Sequence, residues 1–285
     1  MSSEQPLPDA IHYWRYELLP KRRLSGIAAN GPRHGALLRI DDGFADVHPW
    51  PELGDAPLDT QLAMLARGET TALTRASLAF AAIDASARRD NRRLFEGLTI
   101  PRSHWPGADP PDGFDTVKLK SVDHIPDHVR LRIDFNATLA PDEFVRIAAT
   151  LPRERIDFIE DPCPYDAATW RELRARTGMR LALDRGTGTE DVDVIVVKPA
   201  VQKIPDSDAE IVVTSYMDHP LGQLCAAYAA AKASITATCG LVTHVLFEPD
   251  VFIERMRIDG TRLIPPDGNG FGFDDLLERL PWRSL

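Results

Sequence analysis

The fold class of this chain is set by a series of short apolar segments, each ending in a polar or charged residue. The first three are TVKLK (116–120), VRLRIDFN (129–136) and IDFIEDP (156–162). The later ones are MRLALD (179–184), VIVVKP (194–199), IVVTS (211–215) and SITAT (234–238). Helical patterns separate some of these segments, at 141–151, 167–177 and 221–233. Because strands that alternate with helices pair in parallel, the series predicts a parallel sheet, and seven strands favour a closed barrel.

The first hundred residues follow a different pattern. An aromatic-rich strand pattern at 11–24 precedes two apolar runs around Asp41-Asp42-Gly43, which is a hairpin signal. Two helical patterns with one apolar face follow, at 57–67 and 72–89. Strands followed by helices in this order predict a compact α+β unit.

The predicted organisation is therefore a capping domain and a barrel. We expect the α+β cap over 1–100 and the (β/α) barrel over 101–244, with the proline-rich stretch 101–113 as the boundary. The segment 245–285 leaves the strand–helix rhythm and is expected to pack back on the cap. A glycine-containing loop at 22–35 is expected to act as a lid over the site.

Two links between the barrel strands are short. Lys120 and Asp134 are 14 residues apart, and so are Asp184 and Lys198. Parallel strands need a crossover of about a dozen residues or more, usually a helix. We therefore expect at least two outer helices to be reduced to loops or turns.

Composition excludes several classes of protein. The 285 residues carry 43 acidic and 33 basic side chains, a net charge of −10, so no basic surplus exists to bind nucleic acid or anionic membranes. No apolar run is long enough to span a bilayer, and the first residues lack the pattern of a secretion signal. Three cysteines without CxxC spacing indicate neither a disulfide framework nor a zinc ribbon. We expect a cytoplasmic protein that acts on a small molecule.

Lysine is scarce in this chain, and its positions are informative. Only six of the 33 basic residues are lysines, and Lys118, Lys120 and Lys198 lie at predicted strand ends. Arginine cannot lose its proton in a protein, whereas a lysine can be tuned to act as a base. In strand order the charged ends are a lysine pair, three carboxylates and a further lysine, and the carboxylates are Asp134, Glu160 and Asp184.

This order of charges predicts a reaction at the carbon next to a carboxylate. Three carboxylates on adjacent strands form the oxygen-rich site that Mg²⁺ prefers, with Mn²⁺ as a possible substitute. A divalent cation stabilises the enediolate that forms when a proton leaves such a carbon, and lysines on two sides can exchange that proton. Lys118 beside Lys120 should lower the pKa of Lys120, which would suit a base.

These motifs resemble the enolase superfamily. The matching residues are KLK at 118–120, RIDFN at 132–136, EDP at 160–162, Asp184 and VKP at 197–199. The lysine pair and the opposite lysine resemble the muconate-lactonising subgroup. Within it, Arg132, GFADVHPWPELGD (43–55) and TSYMDHPLG (214–222) are most similar to the o-succinylbenzoate synthase family.

The resemblance implies a fold and a set of roles. The fold would be α/β, a modified (β/α)7β TIM-like barrel with trimmed crossover helices and an α+β cap. Asp134, Glu160 and Asp184 would bind Mg²⁺, supported by Asn136 and Asp161. Lys120 would be the base, Lys198 the cation on the far face, and Lys118 would tune Lys120. The residues that bind the substrate would be Arg132, Ser215, Tyr216 and Met217, with Arg22, Arg23 or Arg33 from the lid.

The implied activity is that of a lyase in menaquinone biosynthesis. The enzyme would dehydrate 2-succinyl-6-hydroxy-2,4-cyclohexadiene-1-carboxylate to 2-succinylbenzoate. A racemase of N-acylamino acids or an epimerase of dipeptides would use the same two lysines, so this alternative stays open. A barrel that has lost catalysis and only binds is a third interpretation, motivated by the short crossovers. The sequence leaves the oligomeric state open.

Overall fold

The computed structural model of the chain describes residues 10–24, 28, 30–184, 188 and 190–285. In chain order the strands are β1 (Ile11–Leu18), β2 (Arg33–Ile40), β3 (Gly43–Val47), β4 (Thr116–Leu119), β5 (Arg130–Asp134), β6 (Ile156–Glu160), β7 (Leu181–Leu183), β8 (Val194–Val197), β9 (Glu210–Val213), β10 (Arg257–Asp259), β11 (Arg262–Ile264) and β12 (Arg283–Ser284). The α-helices are α1 (Leu58–Ala66), α2 (Ala72–Arg89), α3 (Pro141–Ala148), α4 (Ala167–Thr177), α5 (Pro220–Lys232) and α6 (Asp274–Leu277). None of the helices in these ranges is long and apolar enough to cross a membrane.

An antiparallel sheet forms the N-terminal part, in the order β12-β1-β2-β3. The turn at Asp41 joins β2 to β3, as the hairpin signal predicted. Helix α2 begins at a capping box in which the side chain of Thr71 accepts from the amide of Thr74. It packs so closely on β3 that a β-carbon at Gly43 would collide with the carbonyl oxygen of Ala81. Only glycine allows this approach.

The second sheet is parallel, in the order β4-β5-β6-β7-β8-β9. Side chains on one face of β5, including Leu131 and Ile133, pack with Phe144 of α3 and Trp170 of α4 in a buried cluster. The opposite face of the same strand carries Arg132 and Asp134, both buried. The alternation read from the sequence therefore places the apolar set against the helices and the polar set on the concave side.

Isolated bridges extend this sheet beyond its two edge strands. Trp105 bridges Val117 of β4, and Gly240 bridges Thr214 just after β9, both in parallel. Ser103 and Cys239 bridge each other, so the pairings link one edge to the other. The stretch 101–113, expected to be only a boundary, thus contributes backbone pairs to the sheet. The strand predicted at 234–238 is wrong, because the pairing residues are 239 and 240.

The links between the parallel strands differ in length, as expected. Helices α3, α4 and α5 follow β5, β6 and β9. Within the residues described, no helix lies between β4 and β5, between β7 and β8, or between β8 and β9. The described residues of these connections form turns and bends.

The C-terminal segment returns to the N-terminal part. Strand β12 pairs with β1, and the amide of Phe271 donates to Asp84 of α2 at 2.7 Å. The largest buried cluster contains Leu37 of β2, Val213 of β9 and Leu224 of α5. The core of the N-terminal sheet therefore continues into one side of the parallel sheet.

Candidate active site

The charged residues predicted at the strand ends lie at one edge of the parallel sheet. Asp134 is paired in register with Glu160, and Glu160 with Ala182, two residues before Asp184. Lys118 lies beside Arg132 on β5, and Lys198 follows the last residue of β8. Because all six strands are parallel, their carboxyl ends meet at the same edge. The structure brings together all three predicted carboxylates and all three predicted lysines.

Lysine ammonium groups bridge these carboxylates. The Nζ of Lys118 lies 2.5 Å from Oε1 of Glu160 and 3.2 Å from Oδ2 of Asp134. The Nζ of Lys120 lies 4.0 Å from that same Asp134 oxygen. On the other side, Lys198 forms an ion pair with Asp184. The site is a mixed-charge network rather than a cluster of one sign.

The two lysines of the KLK motif differ in pKa. Burial lowers the pKa of Lys118, but the adjacent carboxylates of Asp134 and Glu160 outweigh it and raise that pKa above its ordinary value. Burial lowers the pKa of Lys120 to about 8, against the attraction of Asp134 and with a smaller contribution from Lys118. The predicted lowering at Lys120 is thus present, and its main cause is burial. Lys118 is a fixed cation, and Lys120 is the group that can lose a proton near neutral pH.

The carboxyl groups also differ in pKa, because their surroundings differ. Burial opposes ionisation of Asp134, yet Lys118 and Lys120 lower its pKa to about 2. Burial raises the pKa of Glu160 to about 7 and that of Asp161 to about 8, and in both the neighbouring Asp184 adds to the increase. Glu160 and Asp161 therefore keep their protons to higher pH than Asp134 does, because the neighbouring carboxyl groups disfavour ionising together.

The predicted supporting residues shape the backbone beneath these carboxylates. The amide of Asn136 donates to Oδ1 of Asp134 at 2.9 Å, and the amide of Asp184 donates to Oδ1 of Asp161 at 3.1 Å. Asn136 and Asp161 both have left-handed backbones, with φ of 53° and 43°. Asn136 lies two residues after β5 and Asp161 directly after β6, and asparagine and aspartate adopt this left-handed conformation more readily than most residues.

The carboxylate set fits a divalent cation in its chemistry. Oδ2 of Asp161 is buried and has no hydrogen-bond partner within the residues described. In the described ranges no group of three or more His, Cys, Asp or Glu side chains converges as a ready metal site, since Lys118 and Lys198 hold the carboxylates. A cation among these oxygens would favour the ionised forms of Glu160 and Asp161.

A cavity of about 400 Å³ opens above the charged network. Its lining includes Lys118, Lys120, Asp134, Asn136, Asp184 and Lys198. The other walls come from the loop after β9 and from the N-terminal part: Ser215, Tyr216, Met217, Trp50 and Leu53. The cavity has the size of a small-molecule site, and both charged groups and apolar or aromatic groups line it.

The three residues predicted from the loop after β9 line the cavity. Trp50 donates from Nε1 to the carbonyl oxygen of Tyr216 at 2.7 Å, and the hydroxyl of Tyr216 donates to Asp55 at 3.0 Å. The hydroxyls of Ser215 and Thr243 lie 2.5 Å apart. The loop is thus held from both sides, and Met217 follows with a left-handed backbone at φ 51°.

Arg132, predicted to bind the substrate, is buried beneath the lining of the cavity. Only 2% of its surface is exposed, and it is absent from the cavity lining. Its guanidinium donates to Asp157 at 2.8 Å and to the carbonyl of Thr238 at 2.6 Å. Arg132 therefore lies below the lining of the cavity, and its assignment as a substrate-binding residue stays a prediction.

The arginines of the predicted lid separate into two kinds. Arg33 is paired with Glu52 at 2.7 Å and 3.0 Å and stacks 3.9 Å from the ring of Trp50, so it supports the cavity wall. Arg22 and Arg23 line the cavity itself. Residues 25–27 and 29 of the lid lie outside the described residues.

Several cavity residues were missed from the sequence, among them His104 and Trp50. His104 lies in the stretch read as a boundary, and Trp50 lies in the cap, on a motif that was used only for the resemblance. The signal for both was a buried aromatic residue beside proline, HPWP at 48–51 and SHWP at 103–106. Both proline-containing stretches carry aromatic residues and form part of the wall of the cavity.

Comparison with known proteins identifies the family of this chain. The family model for the "O-succinylbenzoate synthase, N-terminal domain" matches residues 11–87, and "Enolase C-terminal domain-like" matches 107–202. The o-succinylbenzoate synthase of Bdellovibrio bacteriovorus is 33% identical, over 96% of this chain and 98% of that protein. The o-succinylbenzoate synthase of Mycolicibacterium smegmatis is 32% identical over 48% of each.

Solved structures share the fold at low identity. A mandelate racemase/muconate lactonizing protein from Herpetosiphon aurantiacus has a TM-score of 0.74 at 15% identity, over 95% of this chain and 99% of that one. The L-Ala-D/L-Glu epimerase of Bacillus subtilis has a TM-score of 0.73 at 15% identity, over 94% and 98%. Together with the sequence matches, these likenesses show that the chain is an enzyme and belongs to the o-succinylbenzoate synthase family of the enolase superfamily.

Proposed function

We propose that this enzyme is a Mg²⁺-dependent lyase that dehydrates 2-succinyl-6-hydroxy-2,4-cyclohexadiene-1-carboxylate to 2-succinylbenzoate, a cytoplasmic step of menaquinone biosynthesis. The observation that carries the proposal is Lys120, a buried lysine in the cavity with a pKa lowered to about 8. Such a lysine can accept a proton near neutral pH, as a general base must. Membership in the o-succinylbenzoate synthase family supports the substrate.

The proposed residues divide the work between binding and proton transfer. Asp134, Glu160 and Asp184 would hold Mg²⁺, or Mn²⁺ in its place. When bound, the metal would supply positive charge that stabilises the enediolate. Asn136 fixes the carboxylate of Asp134 through its amide, and Asp161 receives the amide of Asp184.

Lys120 performs both proton transfers in this proposal. Its neutral amine removes the proton from the carbon next to the substrate carboxylate. The resulting ammonium then protonates the leaving hydroxyl on the same face, so that water departs and the aromatic ring forms. Lys198, paired with Asp184, remains a cation at the cavity and stabilises negative charge on the substrate. Lys118 stays protonated between Glu160 and Asp134 and orients them.

The fold proposal follows from the same family. We infer a modified (β/α)7β barrel with trimmed crossovers over 101–244, and an α+β cap over 1–100 that the segment 245–285 completes. The wall formed by Ser215, Tyr216 and Met217 would receive the succinyl chain of the substrate. Its apolar and hydroxyl groups suit a short chain that contains a ketone.

The proposal is tested by turnover of the cyclohexadiene substrate, followed as loss of its ultraviolet absorbance. We expect activity with Mg²⁺, loss of activity with EDTA and recovery when Mg²⁺ is restored. Lys120→Ala should lower kcat by about a hundredfold or more, as loss of a general base does. Lys203→Ala, a change at an exposed lysine after β8, is the matched control and should retain activity. Turnover unchanged in Lys120→Ala would contradict the assignment of the base.

An epimerase or racemase is the second candidate. Lys120 and Lys198 both line the cavity, and a 1,1-proton exchange needs a lysine on each face of the substrate. The test is incorporation of deuterium at the α-carbon of N-succinylamino acids and dipeptides in D₂O. Exchange on these substrates without turnover of the cyclohexadiene would replace the lyase proposal by this one.

A further inference from the structure

His104 lies on the wall of the cavity, in a segment that the sheet holds in place. The amide of His104 donates to the carbonyl of Cys239 at 2.8 Å, and the amide of Lys118 donates to the carbonyl of Trp105 at 2.8 Å. The side chain is 4% exposed and belongs to the lining of the cavity. The backbone on both sides of this histidine is therefore fixed.

Arg132 determines which ring nitrogen of His104 carries the proton. Nη1 of Arg132 lies 3.1 Å from Nδ1 of His104. A guanidinium can only donate, so Nδ1 must accept, and the hydrogen of a neutral ring then resides on Nε2. Arg132 is itself held by Asp157 and by the face of Phe158, with its guanidinium carbon 4.5 Å from the ring centroid.

The same surroundings keep His104 neutral. Burial lowers the pKa of His104 well below its ordinary value, and the positive charges of Arg132 and Lys118 lower it further. His104 consequently offers a hydrogen-bond donor without adding a cation to a site that already has three lysines.

Gly240 leaves room for the Nε2 edge of the ring. A β-carbon at position 240 would lie 3.0 Å from Nε2 and 2.9 Å from Cε1 of His104, and 2.8 Å from Cγ2 of Thr214. Gly240, Thr214 and Lys118 all line the cavity with His104. Nε2 of His104 thus lies beside Gly240, among residues that line the cavity.

We propose that His104 is a substrate-binding residue that donates a hydrogen bond from Nε2 to the ketone oxygen of the succinyl chain. This inference rests on the proposed function. The two carboxylates of the substrate suit the cationic groups of the cavity, including Arg22 and Arg23. The ketone is the uncharged acceptor between them, and a neutral donor matches it without the desolvation cost of a further charge.

The test compares two ligands that differ only at the ketone. Binding of 2-succinylbenzoate and of 2-(3-carboxypropyl)benzoate, in which a methylene replaces the ketone, is measured by calorimetry in the presence of Mg²⁺. His104→Phe should weaken binding of the ketone ligand by about tenfold and leave the methylene ligand unchanged, because one neutral hydrogen bond is lost. His104→Gln, which keeps a side-chain N–H donor, should restore part of the difference. His12→Phe, on β1 and outside the cavity lining, is the control and should bind as the wild type does.

A second measurement reads the tautomer directly. In ¹⁵N spectra of histidine-labelled protein, the His104 signals are those that disappear in His104→Gln. They should show hydrogen on Nε2, an unprotonated Nδ1 and no titration between pH 6 and pH 8.

Three outcomes would overturn the inference. The first is that His104→Phe weakens binding of both ligands equally, and the second is that it weakens binding of neither. The third is a His104 ring with its hydrogen on Nδ1. Wild-type protein that neither binds 2-succinylbenzoate nor turns over the cyclohexadiene would instead overturn the proposed function, and this inference with it.

Discussion

At the scale of single residues, two buried carboxyl groups lie where the N-terminal sheet meets helix α5. The β-carbon position of Gly222 is 2.6 Å from an oxygen of Asp46 and 2.6 Å from an oxygen of Asp218. Burial raises the pKa of Asp218 to about 7, and burial and the charge of Asp218 raise that of Asp46 well above its ordinary value. The titratable groups around the pair are Tyr16, His48, His219 and Cys225. Two such carboxyl groups share protons rather than ionise together.

The Asp46–Asp218 pair predicts that stability falls as pH rises from about 4 to about 7. In this window the folded state keeps a proton on Asp218 that the unfolded state has lost, so unfolding releases a proton. The free energy of unfolding should fall by up to about 1.4 kcal/mol per pH unit from this group. Asp218→Asn has no proton to release, and its stability relative to the wild type should increase across the window. Urea unfolding from pH 4.5 to pH 7.5 measures this.

An exposed aspartate provides the control for that experiment. Asp112→Asn should follow the wild-type curve in parallel, because Asp112 is exposed. If Asp218→Asn also ran parallel to the wild type, Asp218 would be ionised in the folded protein.

The sequence predicts which face of a strand a residue occupies, but not how far below the cavity that residue lies. Arg132 and Asp134 share a face of β5, and alternation alone places both inside. Asp134 reaches the cavity, whereas Arg132 is paired in register with Phe158, one layer below. Depth depends on the stagger of neighbouring strands, which pairs of distant residues determine. His104 was not predicted for the same reason, because the segment that contains it pairs with Cys239, far along the chain.

At the scale of elements, Trp50 connects the turn after β3 to the loop after β9. Its indole N–H donates to the carbonyl of Tyr216, and its amide donates to Asp55, which also accepts from the Tyr216 hydroxyl. Trp50 is 1% exposed and carries Arg33 on its ring face. This contact places an N-terminal residue directly against the loop that lines the cavity.

Removing the indole donor should therefore affect stability and binding together. Trp50→Phe leaves the buried carbonyl of Tyr216 without its donor, which should cost about 1–3 kcal/mol of unfolding free energy. Displacement of the loop should weaken binding of 2-succinylbenzoate several-fold. The measurements are urea unfolding and calorimetric titration.

Trp282 is a matched control, since its indole N–H also donates to a backbone carbonyl, that of Leu277 at 2.9 Å. Trp282→Phe should lose some stability and bind the ligand as the wild type does. Equal binding by Trp50→Phe and the wild type would show that this contact does not position the loop.

At the scale of the whole molecule, the domain boundary predicted near residue 100 does not coincide with a division of the buried core. The change of pattern near residue 100 marks where strand–helix alternation begins, and the structure has a parallel sheet after that point. The largest buried cluster nevertheless extends from β2 through β9 to α5, while a second cluster joins β4–β7 with α3 and α4. Local periodicity identifies elements, but a core is formed by contacts between distant segments, which one sequence does not reveal.

The shared core predicts that the N-terminal sheet and α5 unfold together. Amides that exchange only through global unfolding should occur in both β2 and α5, and their opening free energies should agree and fall equally with added urea. Among the described strands, β10 and β11 form a separate two-stranded sheet, which should open at lower free energy. Native-state hydrogen exchange of the full chain measures the opening free energies of β2, of α5 and of the β10–β11 hairpin. If β2 opened well below α5, the N-terminal sheet would be an independent unit, and its contacts with the parallel sheet would only add to a domain already stable alone.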